Sequence, residues 1–130
     1  MQISRLAVAI FLACQGQGKA QIRQAIESRF GYDLGRSLDD IRSGYAFTEL
    51  CRLTVPPAIV AFLESTDYED AVRNAISLGG DADTLACITG GIAEAFYGGV
   101  PEALAAQGRA LLDPSLLEVV DAFRARFSLP

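Results

Sequence analysis

A chain of 130 residues, 51% hydrophobic and 21% charged, has the composition of a folded domain that can bury a core without a disulfide or a structural metal. Its 11 basic and 16 acidic residues leave a net charge of -5, which offers no cationic field to a nucleic acid. Histidine is absent, so the commonest neutral general base and metal ligand is missing and chemistry falls to carboxylates, hydroxyls or the three cysteines.

The first predicted helix covers about Ser4 to Cys14, with Leu6, Ile10 and Ala13 on one face and Val8, Phe11 and Leu12 widening it until little is left for solvent. Such an apolar element belongs in the middle of a bundle, and any face it leaves open invites association with a second copy. A Gln-Gly-Gln-Gly turn leads into a helix from Lys19 to Phe30, stopped by Gly31. Periodicity then weakens from Tyr32 to Leu53, apart from a short turn of helix at Ser37 to Arg42. Long connections of this kind are often functional, which makes Tyr45, Phe47 and Thr48 candidates to line a cleft. Thr54 is the expected cap of a helix with Pro56 and Pro57 in its first turn.

Asp67 and Asp70 mark the start of a helix that runs to Leu78 and stops at Gly79-Gly80. The next begins over Asp81 to Thr84 and ends at Gly98-Gly99, and its internal Gly90 and Gly91 predict a second backbone packed against that face. Pro101 opens a shorter helix toward Leu111, and Asp113-Pro114 starts a last one carrying Leu116, Leu117, Val120, Phe123 and Phe127. The expected fold is all-α, a compact orthogonal helical domain of six to seven helices spanning residues 1–130 with no internal repeat.

Cys14, Cys51 and Cys87 lack metal-site spacing and are too few for a secreted scaffold, so inert thiols in a reducing, cytoplasmic setting are expected, with Cys14 and Cys87 buried in apolar helices. No apolar run reaches the roughly 18 residues of a membrane span, and the stretch from Met1 to Cys14 carries no cationic leader.

Chemistry concentrates at Leu78-Gly79-Gly80-Asp81-Ala82-Asp83-Thr84-Leu85, where two carboxylates and a hydroxyl share one turn between two helices. Three hard oxygens suit Mg²⁺ or Mn²⁺, and the glycines allow a tight turn and close approach of a ligand. The same residues equally suit helix capping by Asp81, with first-turn electrostatics from Asp83 and Thr84. An octahedral ion needs six ligands, and Asp39-Asp40 reads as a solvated turn rather than a second cluster. Only part of a site is in view.

The run from Asn74 to Thr84, the small-residue helix through Ala95-Phe96-Tyr97-Gly98, and the upstream Thr54-Val55-Pro56-Pro57-Ala58 and Ala61-Phe62-Leu63-Glu64-Ser65 together resemble the ADP-ribosylglycohydrolase family. These are helical two-metal hydrolases, among them dinitrogenase reductase-activating glycohydrolase. The resemblance implies Asp81, Asp83 and Thr84 as ligands of Mg²⁺ or Mn²⁺, with Asp83 bridging two ions. Gly79, Gly80 and Tyr45, with the stretch from Phe47 to Thr54, would lie along ADP-ribose attached to a protein or a small acceptor. The family's early glycine-rich acidic motif with its catalytic glutamate and its Thr-Asp-Asp motif do not occur in this sequence, so the likeness is to the carboxy-terminal half. Glu49, Glu64 and Glu94 are not expected to replace the missing acid. The implied function is ADP-ribosylglycohydrolase-like, with a partial metal site that does not turn over alone. The alternatives are a non-catalytic structural or ADP-ribose-binding remnant, or one half of a site completed by a second copy or a missing-half protein.

Overall fold

The computed structural model describes residues 3–48 and 50–127, so Met1, Gln2, Glu49, Ser128, Leu129 and Pro130 lie outside it. Its elements are α1 (Ile3–Cys14), α2 (Lys19–Phe30), α3 (Leu38–Arg42), α4 (Cys51–Leu63), α5 (Tyr68–Ser77), α6 (Ala82–Tyr97), α7 (Glu102–Ala110) and α8 (Pro114–Phe127). The all-α expectation holds, with eight helices in place of six to seven and no strand among the described residues.

Helix α6 is the hub, packing on α1, α4 and α5. Phe62 and Ile59 of α4 meet Leu85 and Ile92 of α6 in a single buried cluster completed by Ile22, Ile26 and Leu34. Thr89 is fully buried within it and donates from Oγ1 to the Ala58 carbonyl at 2.8 Å, which ties α6 to α4. Gly90 and Gly91 meet side chains rather than a second backbone. A Cβ at Gly90 would stand 3.3 Å from the Tyr68 hydroxyl, and one at Gly91 3.7 Å from Ile10 Cδ1.

Most helix ends follow from their caps. Gly31 and Gly98 adopt left-handed backbone after α2 and α6. Asp67 accepts the Asp70 amide at 2.8 Å while Asp70 Oδ2 accepts the Thr66 amide at 2.8 Å, a reciprocal start for α5. Helix α4 departs from expectation. It begins at Cys51, which puts Thr54 inside the helix and the two prolines in its second turn. Thr54 is buried, and its hydroxyl bonds back to the Leu50 carbonyl at 3.2 Å instead of capping. The prolines remove the amides that the Arg52 and Leu53 carbonyls would otherwise take.

Helix α1 turns Ala9 and Ala13 into the core, with Leu6, Val8, Ile10 and Leu12 packed at its edge, but leaves Phe11 61% exposed. All three cysteines are exposed, correcting the expected burial of Cys14 and Cys87. Cys14 ends α1, and Cys87 lies on the outer face of α6, two residues from the buried positions Leu85 and Thr89.

Lys19 opens α2 beneath three aromatic rings, its Nζ 5.2 Å from the Phe62 centroid, 5.6 Å from Phe96 and 5.5 Å from Tyr97. The ammonium donates to the Ser65 carbonyl, and the Tyr97 hydroxyl donates to that same carbonyl at 3.0 Å. A cation over aromatic faces in a partly desolvated pocket joins α2, α4 and α6 at one corner.

The last two helices stand apart. Neither α7 nor α8 has a buried residue. Val100 and Leu104 line a groove of about 350 Å³ with Tyr68, Val72 and Ile76, where α7 leans on α5. Arg109 of α7 bonds Asp121 of α8 at 2.6 Å. Asp113 accepts the Ser115 and Leu116 amides at 3.0 and 3.1 Å, so Asp113-Pro114 is the predicted cap and first turn.

Candidate functional site

The turn between α5 and α6 depends on two consecutive left-handed residues, Gly79 at φ +74 and Gly80 at φ +62. Gly80 has a second constraint. A Cβ there would lie 2.9 Å from Tyr45 Cε1 and 3.3 Å from the backbone of Ala46 and Phe47. The segment Tyr45–Phe47 from the α3–α4 connection is thus seated on the glycine turn that carries the acidic residues. The structure brings Tyr45 and Gly80, far apart in sequence, into contact.

Asp81 precedes α6 with φ -84 and ψ 67, and its side chain makes no capping hydrogen bond. The capping alternative for Asp81 is therefore not used. Asp83 takes a different part: the neighbouring Asp81 side chain, then its own amide and that of Thr84, hold its carboxyl below the usual value of 3.8. Asp81 is half-buried, whereas Asp83 and Thr84 are exposed. Two neighbouring carboxylates beside a hydroxyl form a hard, anionic oxygen set that fits one face of a Mg²⁺ or Mn²⁺ ion. It does not enclose one. Among the described residues no group of three or more Asp, Glu, His or Cys side chains could hold a metal.

Tyr45 also lines a cleft of about 510 Å³ with Phe47, Thr48, Arg36, Arg52 and Pro56. The cleft does not include Asp81, Asp83 or Thr84, and the Tyr45–Phe47 segment is what the two regions share. The Tyr45 phenolic oxygen is buried with no hydrogen-bond partner among the described residues. The two guanidinium groups in the cleft were invisible to motif reading, because Arg36 precedes α3 and Arg52 lies in the first turn of α4. Their proximity is a product of the fold. Only their place within the long stretch from Tyr32 to Leu53 hinted at them.

Of the other acids, Glu64 accepts the Leu38 amide at 2.9 Å and so pins α3 to the end of α4, a structural task. Glu94 is exposed on α6. Asp39 pairs with Arg42, and Asp40 accepts from Ser37 at 2.6 Å, in keeping with a solvated turn. No helix of the described residues is long and apolar enough to cross a membrane.

The family model for ADP-ribosylglycohydrolase matches residues 4–128. The chain belongs to the ADP-ribosylglycohydrolase family. The match spans most of the chain and does not single out a carboxy-terminal half of the family. No curated protein and no solved structure is matched. The family as a whole is associated with ADP-ribose and with Mg²⁺ or Mn²⁺.

Proposed function

We propose that this member binds ADP-ribose, free or attached to an acceptor, across Tyr45 and the glycine turn, and that it holds part of a divalent metal site without completing it. The observation that carries this reading is the seating of Tyr45–Phe47 on Gly80, which sets a ligand cleft beside the Asp81–Thr84 oxygens. Arg36 and Arg52 supply positive charge for a diphosphate, and Phe47 supplies an exposed aromatic face for a base. Asp81, Asp83 and Thr84 are the residues that would hold Mg²⁺ or Mn²⁺. When bound there, the ion would orient a ribose hydroxyl and polarise it.

The chain's own groups bind and orient; Asp33, the carboxylate that lines the cleft among the described residues, accepts the Gly35 amide at 3.0 Å. Glu64 is committed to the Leu38 amide, and Asp81 and Asp83 would be taken up as ligands of the ion. Turnover therefore requires oxygens from beyond these residues, and the chain corresponds to a carboxy-terminal portion of the family's site. A second reading, a site completed by another chain, is favoured by the open side of the Asp81–Asp83–Thr84 set.

Titration calorimetry of the metal-stripped protein with Mn²⁺ and then ADP-ribose tests this. Asp83→Ala should abolish Mn²⁺ binding, and Arg52→Ala should weaken ADP-ribose by roughly 10-fold, the loss of one charge-assisted contact. Absence of both binding events in a folded chain would sink the proposal. Metal-dependent release of ADP-ribose by the purified chain alone would overturn the incomplete-site part while leaving the binding part intact.

A further inference from the structure

Given ADP-ribose binding in the cleft, on which this rests, we propose that Asp33 sets the cleft's specificity: its carboxylate accepts from the adenosine ribose hydroxyls and excludes a ligand phosphorylated on that sugar. The cleft draws Asp33 and Arg36 from the stretch before α3, and Arg52 and Pro56 from α4. Among the described residues its charged lining is two guanidinium groups and one carboxylate. A guanidinium only donates and a carboxylate only accepts, so they serve different parts of a ligand. A diphosphate offers acceptors alone and takes the arginines. Asp33 is left to meet a part that donates.

Both groups are set for this from one short stretch of chain. Asp33 Oδ1 accepts the Gly35 amide at 3.0 Å, a local turn that fixes the carboxylate and leaves Oδ2 without a protein partner among the described residues. Arg36, three residues on, donates from Nη2 to the Asp40 carbonyl at 3.1 Å and keeps further N–H groups for a phosphate. ADP-ribose has two sugars. The terminal ribose belongs with the Asp81–Thr84 oxygens, so the sugar left for Asp33 is the adenosine ribose, which is esterified directly to the diphosphate that the arginines hold. Its vicinal hydroxyls are donors that a carboxylate accepts. A 2′-phosphate replaces one donor by acceptors alone and adds a charge of about -1.5 to -2, so both the hydrogen bond and the charge turn adverse beside Asp33. Dinucleotide sites of an unrelated fold separate the same two sugars by the same chemistry, an acidic side chain for the free hydroxyl and an arginine for the phosphate.

Calorimetry of the full chain at matched Mn²⁺ with ADP-ribose and with its 2′-phosphorylated form tests this. The wild type should favour ADP-ribose by at least roughly 10-fold, and Asp33→Asn should shrink that ratio at least roughly 5-fold, chiefly by gaining affinity for the phosphorylated ligand. The asparagine amide oxygen still accepts the Gly35 amide, so the thermal midpoint should stay put. Glu118→Gln makes the same change of charge at an exposed position on α8 and should leave the ratio as it is. Equal binding of both ligands by the wild type overturns the proposal and leaves ADP-ribose binding in place. So does a ratio that Asp33→Asn does not change, or that Glu118→Gln shrinks as much. Failure of the wild type to bind either ligand removes the cleft reading and this proposal together. A preference for ADP-ribose over its hypoxanthine analogue that Asp33→Asn abolishes, with the phosphate ratio unchanged, would put the base amine at Asp33 and overturn the sugar assignment.

Discussion

Helices α6 and α8 have nearly the same length, 16 and 14 residues, and each carries a long apolar stripe after an aspartate at its start. Their fates differ. Leu85, Thr89, Ile92 and Ala93 of α6 are wholly buried between α1, α4 and α5, while Leu116, Phe123 and Phe127 of α8 face outward. Periodicity thus reports that a face gains by being covered; it does not report that the same chain supplies the cover. The surroundings decide. Helix α6 follows a tight glycine turn that folds it back on α5, whereas α8 reaches the body through α7, which has no buried residue and shares with α5 a groove lined by Leu104 and the preceding Val100.

The contrast can be broken most sharply in the core. Phe62→Ala should destabilise the fold by about 3–5 kcal/mol in chemical denaturation, because the ring is fully buried and packs edge-on against Phe96 at 5.1 Å. Gly80→Ala should cost about 1–3 kcal/mol, from the left-handed backbone and the clash with Tyr45, and should also lower ADP-ribose affinity in calorimetry. A loss of stability without a change in affinity would separate the turn from the cleft.

In the outer helix the effects should be local. Asp113 has its carboxyl held below the usual 3.8, first by the Ser115 hydroxyl and then by the Leu116 amide. A depressed value means that its contribution is fully present above about 3.8 and is lost as pH falls through the lower folded-state value. Circular dichroism should therefore show α8 fraying in acid before the body unfolds. Asp113→Asn should blunt that pH dependence. The smallest effect is expected for Phe123→Ala, within about 0.5 kcal/mol on the dilute monomer. A larger loss would show that α8 stabilises the body after all.

Much of the fold was legible because glycine, proline and aspartate punctuate it. Gly31, Asp67, Gly98 and Asp113 fix helix ends through local chemistry that needs no tertiary information. The start of α4 was not legible. A Pro-Pro pair favours a first turn, but burial of Val55, Ala58 and Ile59 holds a helix that begins earlier. Cysteine exposure was lost for a related reason: in helices apolar nearly all round, sequence alone does not orient the outward face. At the site, the acidic turn was a contiguous word and could be read. The cleft was assembled from Asp33, Arg36, Tyr45 and Arg52, whose spacing carries no signal before the α3–α4 connection is folded onto Gly80.

The Tyr45 hydroxyl adds a consequence of its own. Natural sequences tend toward minimal frustration, in which each local choice agrees with the global fold. A phenol oxygen shut away from water without a partner is a local disagreement, and phenylalanine at this position would fill the same space beside Gly80 without it. The folded chain therefore holds a small reserve of unspent hydrogen-bonding capacity next to its cleft.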